Sequence, residues 1–406
     1  MATRVCYLLS SFGYTGGSMV LYRFMDNLCA RGFEVVAVTP NERVYWHPSR
    51  SSEVIEQFTP PMPVRRAGLW SGAKSMIKRL PGVATLAARR SSGIRRPGSL
   101  SPGKEVEQVT KGLIEQWILS DFTIATFCTT AYAAYALSDR TIPLYHMQHY
   151  EELFFDTDEW RRMARLSYFL PIELMANSSW LQGRIRQWIG RESQLLLPGI
   201  DTGVFNLRGS VSDKYAPGGK LIIVSYYSPA RFKAWSDAVA CMRLVYERLG
   251  QDAVEWKVFG PVPETPPELP VTFVGLCFGS ALAQLYAGAH VAMMTSWYES
   301  FPLPPLEAMA CGTAVVTTGA GTEDYLQPGV NALAVPARQP EALAEAIISL
   351  SRDRGLAARL AQAGVETASR FPWSTAADRL VEILHRSRSS MLWTRSKDLN
   401  HFLCES

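Results

Sequence analysis

Two glutamates, Glu299 and Glu307, stand at either end of a short segment that carries Pro302, Pro304 and Pro305. A carboxylate accepts two or more hydrogen bonds, so two of them held apart by a stiff connection could grip the vicinal hydroxyls of a sugar and a ribose. A helix-terminal Glu and a solvated loop Glu explain the same residues without any ligand. Arg231 and Lys233 follow an apolar run. Two cations on a strand-to-helix loop could neutralise a diphosphate, or could simply be a solvated surface pair. Gly16, Gly17 and Ser18 open a helical pattern after another apolar run, and backbone amides there could approach an anion with no Cβ in the way. A plain tight turn has the same composition. Asp156, Thr157 and Asp158 have the form of a carboxylate pair for a metal-bound nucleotide, but they precede a helical run, where capping explains them.

The elements that must position these groups follow from hydrophobic periodicity. "RVCYLLS" (4 to 10) reads as a buried strand, "MVLYRFMDNLCARG" as an amphipathic helix closed by Gly32, and "FEVVAVTP" (33 to 40) as a second strand. Strand, helix and strand in forty residues make a βαβ unit and imply a parallel sheet. Strands recur at "FTIATFC", "PLYHMQH" and "ELMANS", with helices at 103–119 and 158–168. A polar, Gly-rich stretch near 206 has the composition of a linker. A second cycle then begins with "KLIIVSYY" and runs through "VEWKVFG", "VTFVG", "HVAMMTS" and "TAVVTT". Within it, Pro305 is read as the first residue of the helix "LEAMACG", which puts Glu307 in its first turn. The expected fold class is α/β, with two doubly wound Rossmann-like domains facing a cleft. The expected divisions are 1–205, 206–218 as linker, 219–375, and a C-terminal helix and tail at 376–406 packing back on the N-terminal domain.

Composition narrows the function classes. The chain has 406 residues, 47% hydrophobic, enough for two cores. Its seven cysteines are scattered with no CxxC pair, which argues against a disulfide framework or a zinc site and suits a reducing cytoplasm. "FTIATFCTTAYAAYAL" is too short and too rich in Thr to span a bilayer. The net charge of +4 conceals a local excess: residues 57–104 hold ten Lys and Arg and no acid. Paired cations with interspersed apolar residues there could touch anionic lipid at the inner membrane face or a polyanionic glycan, or could be a solvated insertion. No recognition motif accompanies the charge, so nucleic acid is not an expected partner.

Taken together, "ESFPLPPLEAMACGTAVVTTGAGTEDYLQPGVNALAVP", "TGGS", "ANSSWL", "PGIDTGVF", "RFKAW" and "FVG" resemble retaining GT-B glycosyltransferases of the family 4 group, whose signature is two glutamates separated by seven residues. The likeness covers most of the chain outside about 45–110 and the tail. It implies a hexosyltransferase that moves a hexose or deoxyhexose such as mannose or rhamnose from a nucleotide diphosphate sugar. The acceptor would be a glycan, a lipid-linked molecule or a small molecule, bound by the first domain, in a setting such as polysaccharide biosynthesis. By position, Glu299 would contact the transferred sugar and Glu307 the ribose. The backbone amides of Ser300 and Phe301 would approach sugar and diphosphate, and Lys233 with Arg231 would stabilise the departing nucleoside diphosphate. Gly16 and Gly17 would line the donor phosphates or the acceptor side of the cleft, Gly275 would line the donor side, and His149, in "YHMQHYEELF", would lie near the sugar, with His146 on the other face of its strand. No cofactor and no metal is expected. Two departures stand out: Pro302 replaces a common Gly, removing one backbone donor, and Arg231 and Lys233 are separated only by Phe232. The alternatives are a GT-B epimerase or phosphorylase, which would share the fold and differ at the site, and a glycan-binding protein with an inactive site.

Overall fold

Short runs of Val, Ile, Ala and Tyr become strands buried on both faces, as a parallel sheet covered by helices requires. The computed structural model describes residues 2–54 without 14, 49 and 52, the strand at 65–66, and 101–404 without 217; side chains are described over the same ranges except 65–66 and 391–404. The described chain divides into two units, one formed by the strand at 65–66 together with Ile200–Pro372, and the other by the residues up to Val54, those from 101 to Gly199 and the segment from Trp373.

The first unit carries strands β1 (Arg4–Leu8), β2 (Glu34–Val38), β3 (Arg43–Tyr45), β5 (Phe122–Ala125), β6 (Ile142–Met147), β7 (Glu173–Ala176) and β8 (Gln194–Leu195). Their order is β3-β2-β1-β5-β6-β7-β8, parallel except for β3, which lies antiparallel on β2. The second sheet runs β14-β13-β12-β9-β10-β11-β4. Its strands are β4 (Arg65–Arg66), β9 (Leu221–Tyr226), β10 (Val254–Phe259), β11 (Thr272–Gly275), β12 (Val291–Met294), β13 (Ala314–Thr317) and β14 (Leu333–Ala334). Arg65 and Arg66 pair antiparallel with Phe273 and Thr272; apart from these two and residues 101–104, the basic segment lies outside the described residues.

Each sheet has a point where the winding reverses. In the first, the chain passes from β1 outward to β2 and then returns to place β5 on the other side of β1. In the second, β10 and β11 extend from one side of β9 and β12 and β13 from the other. Loops at the carboxyl ends of the two flanking strands diverge there and leave a crevice for a ligand.

The helices that cover the sheets are α1 (Gly16–Ala30), α2 (Pro102–Gln116), α3 (Cys128–Ala136), α4 (Asp158–Ser167), α5 (Ser179–Ile189), α6 (Val211–Lys214), α7 (Trp235–Leu249), α8 (Gly279–Ala287), α9 (Leu303–Ala310), α10 (Pro340–Arg352), α11 (Arg354–Ala368) and α12 (Trp373–Cys404). Helix α12 belongs to the first unit. Its Trp373 meets Phe24 edge to face at 5.2 Å, Asp378 pairs with Arg31 at 2.7 Å, and Arg388 pairs with Asp121 at 2.7 Å. None of the described helices is long and apolar enough to cross a membrane.

Two local features differ from the sequence reading, and one, the cap at 156–158, agrees with it. Helix α9 begins at Leu303, two residues earlier than Pro305, with Pro302 as its cap. The first four amides of a helix have no acceptor within it, so Pro304 and Pro305 fit in the first turn at no hydrogen-bond cost. Glu307 is therefore the fifth helical residue, beyond the first turn. The cap of α4 is Thr157, whose Oγ1 accepts from the amide of Trp160 at 3.4 Å; Asp158 is the first helical residue and ion-pairs with Arg161. In the polar stretch near 206, α6 sends Lys214 into the second unit, where Nζ donates to the Thr313 hydroxyl at 2.8 Å and to the carbonyls of Tyr286 and Cys311. Those carbonyls lie at the ends of α8 and α9, so one ammonium meets the negative ends of both helices. Burial pushes its pKa down to about 7.

Candidate active site

The second unit brings Lys233 and Glu299 together at its winding reversal. After β9 the chain makes a single tight turn at Arg231–Lys233 and enters α7 through Ala234, a non-glycine residue in the left-handed region with φ 55°. Such a conformation costs of order 1 kcal/mol and persists only where surrounding bonds enforce it. Here the enforcement comes from the loop after β12. Thr295 Oγ1 donates to the carbonyls of Lys233 and Ala234 at 3.0 and 3.2 Å, and the Trp297 amide donates to the carbonyl of Phe232 at 2.7 Å. The two loops are thereby fixed to each other, and Lys233 Nζ ion-pairs with Glu299 Oε1.

Both side chains line a recess with Tyr226, Ser296, Pro302 and Thr318, and Lys233 keeps 24% of its side-chain surface exposed. Arg231 does not line this recess. Its guanidinium lies 5.9 Å from the Trp297 ring, which Arg338 covers from 4.3 Å. The Trp297 Nε1 donates to Asp237 in the first turn of α7 at 2.8 Å. Of the two cations found in sequence, only Lys233 therefore shares the recess with Glu299.

The loop beyond Glu299 is held from behind. Gly321 has φ 70°, and a Cβ there would fall 2.5 Å from the carbonyl oxygen of Glu299, so only glycine lets the β13 loop pass this close. Pro302 has no amide to donate, but its carbonyl accepts from the Tyr325 hydroxyl at 2.8 Å. The Phe301 side chain packs among Tyr325 and Phe371 in the core, and Ser300 is buried beside it. Half-buried Glu307 projects from α9. Burial first, and then the charge of Glu307, hold the Tyr286 phenol well above its ordinary range. Gly275 ends β11 with φ 78° and accepts from the Gly260 amide at 2.9 Å, drawing the ends of β10 and β11 together.

In the first unit, Gly16 and Gly17 open α1 behind Thr15, whose Oγ1 accepts from Ser18 at 3.2 Å. Gly16 has open space around it, whereas a Cβ on Gly17 would lie 3.3 Å from the side-chain oxygen of Gln148. That oxygen is buried with no hydrogen-bond partner among the described residues. His149 follows, 6% exposed, with Nδ1 donating to the Tyr150 carbonyl at 3.2 Å and its ring against Phe154 and Trp180. The structure thus places the start of α1 beside the loop after β6. His146 faces the other way, fully buried against Phe24 with neither ring nitrogen hydrogen-bonded, and burial pushes its pKa down to about 3. Glu151, in the short turn after β6, accepts from the Cys128 amide at 2.5 Å at the start of α3, and burial pushes its pKa up to about 8. Among the described residues, no group of three or more His, Cys, Asp or Glu could hold a metal ion.

Residues 220–353 match the family described as glycosyl transferases group 1. The second unit carries a glycosyl transferases group 1 domain. The part of the chain that resembles curated relatives is similarly limited. D-inositol 3-phosphate glycosyltransferase of Streptomyces bingchenggensis is 35% identical over 108 residues, 26% of this chain and 24% of that protein. The protein of the same description from Corynebacterium urealyticum is 37% identical over 111 residues, 27% and 26% of the two chains. The chain therefore spans about a quarter of the length of these curated relatives. Among solved structures, sucrose-phosphate synthase from Thermosynechococcus elongatus superposes with a TM-score of 0.69 at 17% identity, covering 96% of this chain and 100% of that one. Anabaena HepE in complex with UDP-glucose gives 0.65 at 16%, covering 94% and 99%. At such identities the likeness speaks for the fold: two parallel-sheet, Rossmann-like α/β units of the GT-B class. Lys233, Glu299, Glu307 and Gly275 all lie within the group 1 domain.

Sequence reasoning missed the residues that hold the site rather than face it. Thr295 and Tyr325 gave no signal beyond ordinary strand and loop composition. Gly321 did: a Gly-Ala-Gly step straight after a strand marks a turn or a close backbone approach.

Proposed function

We propose that the protein is a retaining glycosyltransferase that moves a hexose or deoxyhexose from a nucleotide diphosphate sugar to an acceptor hydroxyl. The observation that carries this reading is the Lys233–Glu299 pair in the recess at the winding reversal of the group 1 domain. A cation and a carboxylate fixed side by side suit a ligand that presents phosphate and hydroxyls together. In this reading Lys233 meets the diphosphate as its charge grows, and Glu299 orients the sugar through its hydroxyls. Glu307, one helical stretch further on, takes the ribose hydroxyls, and the amides of Ser300 and Phe301 and the turn at Gly275 complete the donor side. Arg231 acts, if on the diphosphate at all, only after leaving the Trp297 face.

The bond between the anomeric carbon and the diphosphate oxygen breaks, and its electron pair leaves with the diphosphate. The acceptor oxygen bonds to the same face of the sugar, and its proton passes to the departing phosphate. Such a path needs charge stabilisation at the leaving group more than a side-chain nucleophile. The reading assigns that charge to Lys233 and to backbone amides, so no metal enters it. Gly16, Gly17 and His149 of the first unit serve the acceptor side and the sugar. UDP-glucose bound to Anabaena HepE makes uridine nucleotides the first donors to try.

The test is incubation of the full chain with UDP-, GDP- and dTDP-sugars, with and without a panel of glycan, lipid-linked and small-molecule acceptors. Acceptor-dependent release of nucleoside diphosphate, with an anomeric proton coupling in the product that matches the donor, is expected. Turnover of the donor with no acceptor present, or absence of any thermal shift across the donor panel, would overturn the reading.

A further inference from the structure

The first unit carries a surface that the sugar-transfer reading meets only at Trp180, whose ring also touches His149. On α4 and the turn after it, Arg162, Arg165, Leu166 and Phe169 fall at helical spacing and are all exposed. Leu166 keeps 46% and Phe169 51% of its surface in water. On α5, Trp180, Arg184 and Trp188 follow at successive turns, with the Arg184 guanidinium 5.6 and 4.5 Å from the two rings. Arg165 Nη2 donates to the carbonyl of Trp188 at 3.4 Å, so the two stripes adjoin.

Isolated apolar residues on a surface need no explanation. Three of the nine large apolar side chains most exposed in the described chain share this one face, Leu166, Phe169 and Trp188. The charges around them are of both signs, with arginine in slight excess. Among the described ion pairs, Arg161 is matched by Asp158 and Arg186 by Glu192, whereas Arg162, Arg165 and Arg184 have no carboxylate partner. The nearby acids are Glu159, one turn before Arg162, and Glu152, which already accepts from the Tyr150 hydroxyl at 2.7 Å.

We propose that this face of α4 and α5 docks the protein on an anionic lipid surface. Tryptophan and arginine suit the headgroup level, where one end of the side chain meets hydrocarbon and the other meets water and phosphate. Leucine and phenylalanine beside them enter the acyl boundary. The unmatched arginines find lipid phosphates, with which a guanidinium makes paired hydrogen bonds. The face is a different part of the chain from the basic segment 57–104, and the proposal is independent of what the group 1 domain binds.

Co-sedimentation of the full chain with vesicles tests it. Vesicles of phosphatidylcholine mixed with phosphatidylglycerol should retain the protein, and vesicles of phosphatidylcholine alone should not. Combining Leu166→Ser, Phe169→Ser and Trp188→Ser should lower partitioning at least tenfold; Trp188 also packs on the Tyr150 ring, so melting should fall somewhat, and the pair Leu166→Ser and Phe169→Ser, which leaves that contact, should still lower partitioning. The pair Arg162→Gln and Arg165→Gln removes no apolar contact, only the bond from Arg165 to the Trp188 carbonyl, and should cost about fivefold per arginine. Changing Arg65, Arg66, Lys78 and Arg79 to Gln should leave partitioning unchanged. No retention by anionic vesicles, equal retention without anionic lipid, or undiminished binding of both the triple and the arginine variants would overturn the proposal. So would loss of binding confined to the variant of segment 57–104.

Discussion

The recess of the group 1 domain sits at the winding reversal of its sheet, whereas in the first unit the start of α1 leaves the reversal and meets the loop after β6, one strand further out, and the two places are built differently. In the second unit the loops are fixed by short hydrogen bonds, from Thr295 to the Lys233 and Ala234 carbonyls and from Trp297 to Phe232, and they present charge. In the first unit the loops present aromatic rings and amides, with Phe154 and Trp180 around His149 and the Gln148 side chain against Gly17. A rigid charged recess suits a ligand part common to many substrates, whereas an aromatic and amide surface suits a part that varies. The difference therefore separates what a shared donor would need from what a particular acceptor would need.

The sharpest way to break this comparison is to remove the charges. Lys233→Ala and Glu299→Ala should each lower turnover by about 10²–10³-fold while the folded protein melts within a few degrees of the parent. Steady-state rates beside thermal melts check this, and unchanged rates would strip the recess of its role. Next in size is Gly321→Val. The clash with the Glu299 carbonyl and the positive φ should cost about 2–3 kcal/mol, read by denaturant titration. Glu307→Gln should weaken binding of the nucleotide diphosphate about tenfold, measured by calorimetry, since one charged hydrogen bond to a hydroxyl is lost.

Two buried groups of the first unit should show opposite pH slopes. His146 has a pKa of about 3 instead of the ordinary 6.5, so between those values the unfolded chain takes up a proton that the folded one refuses. Stability then falls on acidification, by up to about 1.4 kcal/mol per pH unit, and His146→Leu should flatten that slope. Glu151, at about 8 instead of 4.5, keeps its proton in the folded chain, so stability falls as pH rises across that window. Glu151→Gln should flatten the second slope, and melting curves from pH 4 to 8 read both. Smallest of all is Gly16→Ala. Space is open there and alanine is the better helix former, so stability should change by less than about 1 kcal/mol. Turnover should nevertheless fall if the start of α1 meets a ligand, and an unaltered rate would remove Gly16 from the site.

Legibility in sequence followed the same division. The parallel strands were visible because runs such as "KLIIVSYY" and "HVAMMTS" are buried on both faces and leave no competing period. The edge strand Arg43–Tyr45 was not, because it is half exposed and lies antiparallel at the rim, where polar residues are tolerated. Lys233 and Glu299 could be picked out through the motifs "RFKAW" and "ESFPLPPLE" that carry the family resemblance, since their residue types alone fit solvated loop charges as well. Their contact could not, since it depends on Ala234 adopting a backbone conformation that its residue type does not announce. Pro305 misled the placement of α9 because proline is accepted at several positions of a first turn, not one. Gln148 and Glu151 gave no signal, as their importance comes entirely from burial.

Helix α12 has a consequence for how the protein is made. It follows Ile200–Pro372 in sequence but packs against α1 and β8 of the first unit, through Asp378, Trp373 and Arg379. A ribosome delivers Ile200–Pro372 as one uninterrupted stretch, so the later half of the chain can complete itself while the earlier half still waits for its final helix. The order of maturation would run opposite to the order of translation, and the half that begins first would be the one most dependent on a chaperone.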